Sequence, residues 1–357
     1  MSNQIEIFAK RLKQARILRR LSMDQLCGMI GDVVTKQAIS KYEQAKMMPG
    51  STTLIALADA LGVDLDYFFR PFSFDTDKFE VSFRKKSATS VKDVNALKIL
   101  IQDEIERYLE IEEILGKDSS PLSVPDGEKL STREQMIDCA KSIRESWNLG
   151  NDAIANVQDM LEERGVKVIR TDAPEGFDGL SGVVNGSYYI VVLNKNNKHE
   201  ERNRFTALHE LSHLLYDNRF SSTLTQRERE NLCNAFASEM LLPSAVLTQK
   251  FSTGAKIPTS DLKMLQTAYG ISIDAVMMKI HQLGLIGDSR YRTFCIRKNQ
   301  DESLKEFVTK SRYKEIPTNR FETMVYSAAS QGLISNSKAA SLLHQSLSRI
   351  RKEVTAF

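Results

Sequence analysis

The chain is poor in the features that mark secreted, membrane-spanning or disulfide-stabilised proteins. Its four cysteines are Cys27, Cys139, Cys233 and Cys295. They are too scattered for a disulfide framework or a structural zinc knuckle, which favours a reducing compartment. No apolar run approaches the length that spans a bilayer, and the first residues show no signal-peptide pattern. The sequence therefore predicts a cytoplasmic protein that does not enter the membrane.

Excess charge is also nearly absent. The 357 residues carry 49 Lys and Arg against 46 Asp and Glu, a net charge of +3. All of that excess lies in residues 1–71, which hold ten basic and seven acidic side chains. One basic cluster there could flank a phosphate backbone or could be an ordinary solvated helix face. Its members are Lys10, Arg11, Lys13, Arg16, Arg19 and Arg20.

Histidine is scarce, with five in the chain, yet two of them stand four residues apart inside an apolar helical pattern. Residues 209–213 read His-Glu-Leu-Ser-His. Residues four apart share one face of a helix, so His209 and His213 can bind the same cation. Glu210 projects beside them, close enough to take a proton from a metal-bound water. The spacing predicts a zinc hydrolase site with Glu210 as the catalytic base.

A catalytic zinc needs a third protein ligand. Residues 230–243 are typical of a second amphipathic helix that is ended by a proline, and Glu230 and Asn234 share one face of it. We predict that Glu230 is the third ligand. Cys233 lies near that face as an alternative ligand, although a small buried apolar side chain is the commoner role for such a cysteine.

The N-terminal segment has a different pattern. Residues 5–69 contain five short helical patterns separated by turn signals, and Thr35 is placed to cap the third. This order predicts a helix-turn-helix domain whose third helix lies in the major groove of double-stranded DNA. The expected DNA contacts are Lys36, Gln37, Ser40 and Lys41. Glutamine can pair bidentately with adenine, and the lysines can contact guanine or phosphate.

Both regions resemble known families. Residues 5–69, with Ile-Ser-Lys-Tyr-Glu at 39–43 and Pro49, resemble the Xre family of helix-turn-helix regulators. The Arg-Phe-Thr at 204–206, the motif at 209–213 and the helix at 230–243 resemble the ImmA/IrrE family of metallopeptidases. That family cuts Xre-type repressors and so switches on stress or mobile-element genes.

The second resemblance implies a ligand set and a mechanism. It places Zn²⁺, with Mn²⁺ as an alternative in vitro, at His209, His213 and Glu230, and it makes Glu210 the general base. The chain departs from the family at Cys233, where alanine is usual. This change is small and leaves the metal site intact.

The resulting fold class is mainly α with a small β-sheet (α+β). Strand candidates run over 166–169 and 188–194, with Gly176, Gly179, Gly182 and Gly186 marking turns between them. The edge of this sheet could hold an extended peptide, or the sheet could only support the metal-site helix. A five-helix helix-turn-helix domain (1–71) is expected to precede a connecting helix and linker (72–130). A zincin-like peptidase domain (131–250) and a helical C-terminal region (251–357) follow.

The connecting region suggests how the halves are joined. A helical pattern over 90–115 is expected to form a homodimer contact, because helix-turn-helix proteins commonly bind paired half-sites. The alternative is that it packs on its own peptidase domain. The polar, proline-containing segment 115–126 is expected to be a linker and a susceptible site for self-cleavage.

Together these features predict a DNA-binding transcription regulator with a zinc metallo-endopeptidase domain. Its protein substrate would be an Xre-type repressor or the chain itself. The alternative is a regulator or antitoxin-like protein whose peptidase fold acts only as a sensor or interaction domain. A third interpretation is a peptidase whose N-terminal domain binds a repressor rather than DNA.

Overall fold

A computed structural model describes residues 2–31, 34–72, 91–117, 122–173, 176–184, 186–197, 199–311, 313–314 and 320–354. In this part of the chain there are seventeen α-helices and a single three-stranded sheet, which confirms the mainly α class. No described helix is both long enough and apolar enough to cross a bilayer. The two residues 32–33, and residues 73–90 and 118–121 of the expected connecting region, lie outside the described residues.

The N-terminal domain has the five expected helices. They are α1 (Ser2–Leu18), α2 (Met23–Met29), α3 (Lys36–Glu43), α4 (Ser51–Leu61) and a final 3-10 helix (Leu65–Phe69). Thr35 caps α3 by accepting a hydrogen bond from the Ala38 amide, as expected. The apolar stripes meet in one buried core that includes Phe8, Ile39 and Phe68.

The long helix α5 (Val91–Ile114) is surrounded by the rest of its own chain. Ile101 and Ile105 are fully buried against the sheet, and Ile111 is fully buried against the last helices of the chain. Beyond the middle of α5, Glu106 contacts α1 through its buried ion pair with Arg11. The described part of this helix packs on the sheet of its own chain, which is the alternative considered for it, and a homodimer contact through α5 stays a prediction.

The central domain consists of helices around a small sheet. Its elements are α6 (Arg133–Ser146), α7 (Val157–Glu163), β1 (Val166–Thr171), β2 (Gly179–Val184), β3 (Tyr188–Asn194), α8 (Glu200–Tyr216), α9 (Gln226–Leu241) and α10 (Ser244–Lys250). The strand order is β1-β3-β2, with β1 parallel and β2 antiparallel to β3. Alternation along β3 puts Ile190 and Val192 towards α5 and Val191 and Leu193 towards α8.

Two of the four expected turn glycines lie inside a strand instead. Gly179 and Gly182 belong to β2, whereas Gly176 and Gly186 occupy turns with positive φ. At Gly179 the reason is space: an added Cβ would lie 2.6 Å from Thr206 Cγ2 of α8 and 2.8 Å from the Val192 carbonyl oxygen. The glycine therefore lets β2 approach the metal-site helix closely.

The C-terminal region is helical, as expected. It contains α11 (Thr259–Tyr269), α12 (Ile273–Gln282), α13 (Asp288–Gln300), α14 (Glu302–Thr309), α15 (Arg320–Ser330), α16 (Asn336–Leu343) and α17 (Leu347–Val354). Helices α11 and α12 form a pair around Gly270, which has φ +59°. Helix α16 ends at Leu343 because His344 adopts a left-handed conformation, and α17 follows. Helices α15–α17 pack on α5.

Ion pairs on α5 join it to the DNA-binding domain. The residues involved are Arg11, Arg70, Asp103, Glu106 and Arg107. The Arg11 and Glu106 side chains are 0% and 2% exposed, with Nη2 and Oε2 2.6 Å apart. Arg70 Nη2 lies 2.7 Å from Asp103 Oδ1, and Arg107 Nε lies 2.9 Å from Asp103 Oδ2. The charges are thus buried in pairs rather than singly.

Asp103 also receives a contact from the end of the chain. His344 Nε2 lies 3.1 Å from Asp103 Oδ2. Burial alone would raise the pKa of Asp103, but His344, Arg107 and Arg70 together hold that pKa below its ordinary value. One carboxylate therefore links the DNA-binding domain, α5 and the C-terminal helices.

Breaking the buried pair should be costly. Glu106→Ala leaves the Arg11 charge buried without its partner, and we expect it to lower the free energy of unfolding by about 3–5 kcal/mol. Urea unfolding followed by circular dichroism measures this. Asp138→Ala removes one partner of the exposed Lys141–Asp138 pair and should cost less than about 0.5 kcal/mol. Equal losses for the two variants would contradict this account of α5.

A second buried acid predicts a pH dependence. Glu162 of α7 is 7% exposed, and burial raises its pKa from 4.5 to about 7. Because the folded state binds the proton more tightly, its stability contribution is present below pH 4.5 and is lost as pH rises through 7. We expect wild type to lose about 3 kcal/mol at most, relative to Glu162→Gln, between pH 4.5 and 8. Urea unfolding across that range measures it. The exposed neighbour Glu163→Gln should leave the profile unchanged.

Candidate metal centre

Helix α8 places the two histidines of the motif together. One helical turn separates His209 from His213, and their Nε2 atoms lie 3.2 Å apart. The rings meet edge to face at 72°, so both Nε2 atoms point into the same small space. Leu208 and Leu211 on the same helix are fully buried in the core, which fixes how α8 is rotated.

Helix α9 brings Glu230 to the same space. Glu230 Oε2 lies 3.0 Å from His209 Nε2, and Oε1 lies 3.9 Å from His213 Nε2. Around a tetrahedral zinc, neighbouring nitrogen and oxygen ligands stand about 3.4 Å apart. The three donors that we expected are therefore spaced as one such ion requires. Packing of Tyr216 on Phe236, with ring centroids 5.6 Å apart, holds α8 against α9.

Each histidine is oriented by a partner on its other ring nitrogen. His209 Nδ1–H donates to Asn234 Oδ1 at 2.9 Å, and His213 Nδ1–H donates to Asp217 Oδ1 at 2.7 Å. These bonds leave both Nε2 lone pairs available in the shared space, where a metal ion would be bound. Asp217 was not anticipated, although its position four residues after His213 is the sequence signal that would have identified it.

A rival ligand set contains Cys233. Donor atoms of His209, His213 and Cys233 all lie within 4.8 Å of one another. However, Cys233 Sγ lies 3.3 Å from His213 Nδ1, the nitrogen that faces Asp217 and points away from the shared Nε2 space. Glu230 approaches both Nε2 atoms, so its carboxylate is the better third donor. Cys233 is fully buried, consistent with the packing role considered for it.

Glu210 lies beside the face that carries the two histidines, and a residue of the sheet holds its side chain in place. It is 7% exposed, and Ser181 Oγ of β2 donates a hydrogen bond to its Oε2 at 2.7 Å. This contact fixes the carboxylate without neutralising it. Nothing in the sequence around Ser181 indicated the role, because the contact depends on how β2 crosses α8.

Strand β2 also has a free edge at the site. The Asn194 amide donates to the Asp178 carbonyl at 3.1 Å, which sets the alternation of the antiparallel ladder. Gly179, Ser181 and Val183 therefore direct their backbone polar groups away from β3. Within the described residues no strand pairs with this edge. An extended peptide could be added there.

A large cavity lies away from the metal centre. It measures about 1010 Å³ and lies between the segment 122–130, α6 and the end of α8, where Tyr216 and Arg219 line it. None of the candidate metal ligands borders it. Cavity size therefore does not mark the chemistry of this protein, and the geometry of the donor atoms does.

The expected DNA contacts lie on the accessible side of α3. Lys36, Gln37 and Lys41 are exposed, and Ser40 is half-buried. Lys36 makes only a surface ion pair, with both side chains more than half exposed. Such a pair contributes little and can be exchanged for a phosphate contact.

The basic cluster of α1 is divided between internal contacts and the surface. Arg11 is buried against Glu106, and Arg16 donates two hydrogen bonds to Glu43 at 2.6 and 2.8 Å. Arg19 Nε donates to the Leu61 carbonyl at 2.8 Å, although its side chain is exposed. Arg11 and Arg16 therefore stabilise the domain, and a phosphate contact by the exposed members stays a prediction.

The two ligand sets predict different metal contents. His209→Ala, His213→Ala and Glu230→Ala should each abolish stoichiometric zinc binding, whereas Cys233→Ala should retain it. Asp217→Ala and Asn234→Ala should weaken affinity by about 10–100-fold, since they only orient ligands. Competition against a zinc chelator, with metal analysis of the purified protein, measures both effects. Loss of zinc in Cys233→Ala with retention in Glu230→Ala would reverse the assignment.

Comparison with known proteins finds a different family in each half of the chain. No curated protein matches it. The sequence model of a helix-turn-helix family matches residues 12–68, and that of the M78 peptidases, described as the IrrE N-terminal-like domain, matches residues 161–281. The second match spans the sheet, α8 and α9. The chain therefore joins a segment that is similar to helix-turn-helix domains to a segment that is similar to the IrrE N-terminal-like domain of the M78 peptidases.

Proposed function

We propose that this protein is a cytoplasmic DNA-binding transcription regulator with a zinc metallo-endopeptidase domain that hydrolyses peptide bonds in a repressor protein. One observation carries the proposal. The His209, His213 and Glu230 donors converge on one space, and Glu210 is held next to it on the same helix. This is the arrangement that metal-assisted hydrolysis of a peptide requires.

The residues of the chain divide the work. A zinc ion bound by the three donors would polarise the scissile carbonyl and lower the pKa of a bound water. Glu210 takes the proton of the attacking water and passes it to the leaving amine. Ser181 holds the Glu210 carboxylate by its hydrogen bond, so the base needs little reorientation during the reaction.

The free edge of β2 favours an extended protein segment as substrate. Its outward backbone groups alternate along Gly179, Ser181 and Val183, and the Ser181 side chain contacts Glu210. A peptide paired with this edge would run past the catalytic base. The sheet would then both support α8 and bind substrate, the two roles considered for it.

Self-cleavage in the segment 115–126 is less favoured by the packing. After such a cut, α5 would still be held to the sheet by a buried apolar interface and by Lys167 Nζ, which lies 2.5 Å from Glu112 Oε2. The DNA-binding domain would remain attached through α5. We therefore propose a separate repressor of the Xre type, rather than this chain, as the substrate.

Replacing the proposed catalytic base Glu210 tests the peptidase activity. Zinc-loaded protein is incubated with a purified Xre-type repressor encoded next to its gene, and fragments are identified by intact mass. Wild type should cut the repressor. Glu210→Gln should bind zinc normally and lose at least 100-fold in rate, because proton transfer by a positioned base contributes about 10²–10⁴-fold. The exposed Glu145→Gln on α6 is the matched control and should cut like wild type.

A cellular version separates this proposal from a purely sensory role. If regulation survives Glu210→Gln but fails when Lys36 and Gln37 are replaced, the peptidase fold acts only as a sensor or interaction domain. If both changes abolish regulation, cleavage and DNA binding are both needed.

The DNA contacts have a separate test. In gel shifts with the chain's own promoter region, Gln37→Ala should weaken binding by about 1–3 kcal/mol and relax specificity. Lys36→Ala should weaken binding to all sequences and lower the salt dependence by about one charge. The exposed Lys141→Ala on α6 should change neither. Binding that is indifferent to both α3 variants would support a protein-binding role for this domain.

A further inference from the structure

A second cavity lies in the C-terminal helices, away from the metal donors. It measures about 380 Å³ and is bordered by α11, α12, α13 and α14. Its apolar lining consists of Ile257, Leu262, Met277, Ile286, Phe294, Leu304 and Phe307. A volume of this size is typical of a small-molecule site. Transfer of apolar surface from water into an apolar environment is favourable, so an apolar ligand body is the favoured occupant of this cavity.

Helix α13 supplies the polar part of the lining. Arg290, Thr293, Phe294 and Arg297 follow one another at positions i, i+3, i+4 and i+7, so they form one stripe along the helix. No residue of α13 is fully buried. The stripe therefore faces the cavity without filling it, and it sets two guanidinium groups beside an apolar space.

The charge of the lining has one sign. Among its eleven residues two are arginines and none is acidic. Within the described residues neither arginine forms an ion pair with a carboxylate. Arg290 Nη1 donates to the Gly254 carbonyl at 3.0 Å, which uses one of five N–H groups. The nearby Asp301 is occupied in capping α14, where it accepts from the amides of Ser303 and Leu304.

We propose that this cavity binds a small carboxylate with an apolar body. The apolar body occupies the space between α11, α12 and α14, and the carboxylate pairs with Arg290 and Arg297. Guanidinium groups bind carboxylates by charge-assisted, often bidentate hydrogen bonds. The site is separate from the zinc site and does not depend on whether the peptidase cuts.

Ligand binding there would act on the metal domain through packing. Leu262, Met277 and Ile286 of the cavity wall belong to the same buried core as Leu208 and Leu211 of α8. A ligand that binds only the folded arrangement stabilises it in proportion to the logarithm of its concentration. The cavity is thus placed to couple a metabolite level to the stability of the domain that carries His209 and His213.

Calorimetric titration of the full-length protein tests the proposal with octanoate as the probe. Octanoate should bind at one site per chain. Octan-1-ol, which keeps the apolar body without the charge, and acetate, which keeps the charge without the body, should each bind at least tenfold more weakly.

Variants locate the site. Arg290→Gln and Arg297→Gln should each weaken octanoate binding by about tenfold, because a hydrogen bond to a charged group contributes at least that factor. Arg292→Gln, on another face of the same helix, should bind like wild type. Met277→Trp should fill the cavity and abolish binding. If Met277→Trp does not fold, the two arginine variants still show whether octanoate binds in this cavity.

Three outcomes would overturn the proposal. They are absence of saturable octanoate binding, octanoate affinity that is unchanged when both arginines are replaced, and tighter binding of octan-1-ol than of octanoate. None of these would affect the peptidase assay, which depends on Glu210. Failure of the peptidase assay, in turn, would leave the octanoate titration interpretable.

Discussion

The structure depends on the burial of α5 more than on any other contact. One helix is covered on its sides by the DNA-binding domain, the sheet and the last three helices. The ion pair between Arg11 and Glu106 fixes how α5 sits on the N-terminal domain. A buried charge that is moved away from its partner loses the interaction that offsets its desolvation. The helix-turn-helix domain and the domain with the candidate metal ligands are therefore held in one arrangement by α5. Each of them contacts different residues of this helix.

The candidate metal centre also depends on the packing of a few elements. Helix α8 carries His209, His213 and Glu210, and α9 carries Glu230 and Asn234. The turn after α8 carries Asp217. Only the rotation of α8 against α9 must be correct for all of these to converge. Fully buried packing residues on both helices, such as Leu211 and Phe236, set that rotation. The chemistry is thus fixed by ordinary core packing.

The sequence predicted what periodicity and local spacing control. It predicted the five N-terminal helices, the strands at 166–169 and 188–194, the helical C-terminal region and the side chains that converge around His209. It could not predict contacts made across large separations. Ser181 on Glu210, Arg11 on Glu106 and the covering of α5 by its own chain each join residues far apart, and each depends on tertiary placement. The two glycines of β2 were misassigned to turns, and at Gly179 close approach to α8 explains the glycine instead.

The turn after α8 has a mechanical consequence. Leu130 pairs with Phe220, its amide donating to the Arg219 carbonyl at 2.7 Å, and Arg219 Nε donates to the Glu128 carbonyl at 3.1 Å. Asp217, which orients His213, lies two residues before Arg219 in the same turn. Residues 128–130, which lead into α6, therefore contact the same short turn that carries Asp217. The orientation of the His213 ring thus depends on how the chain packs before α6 as well as on α8 itself.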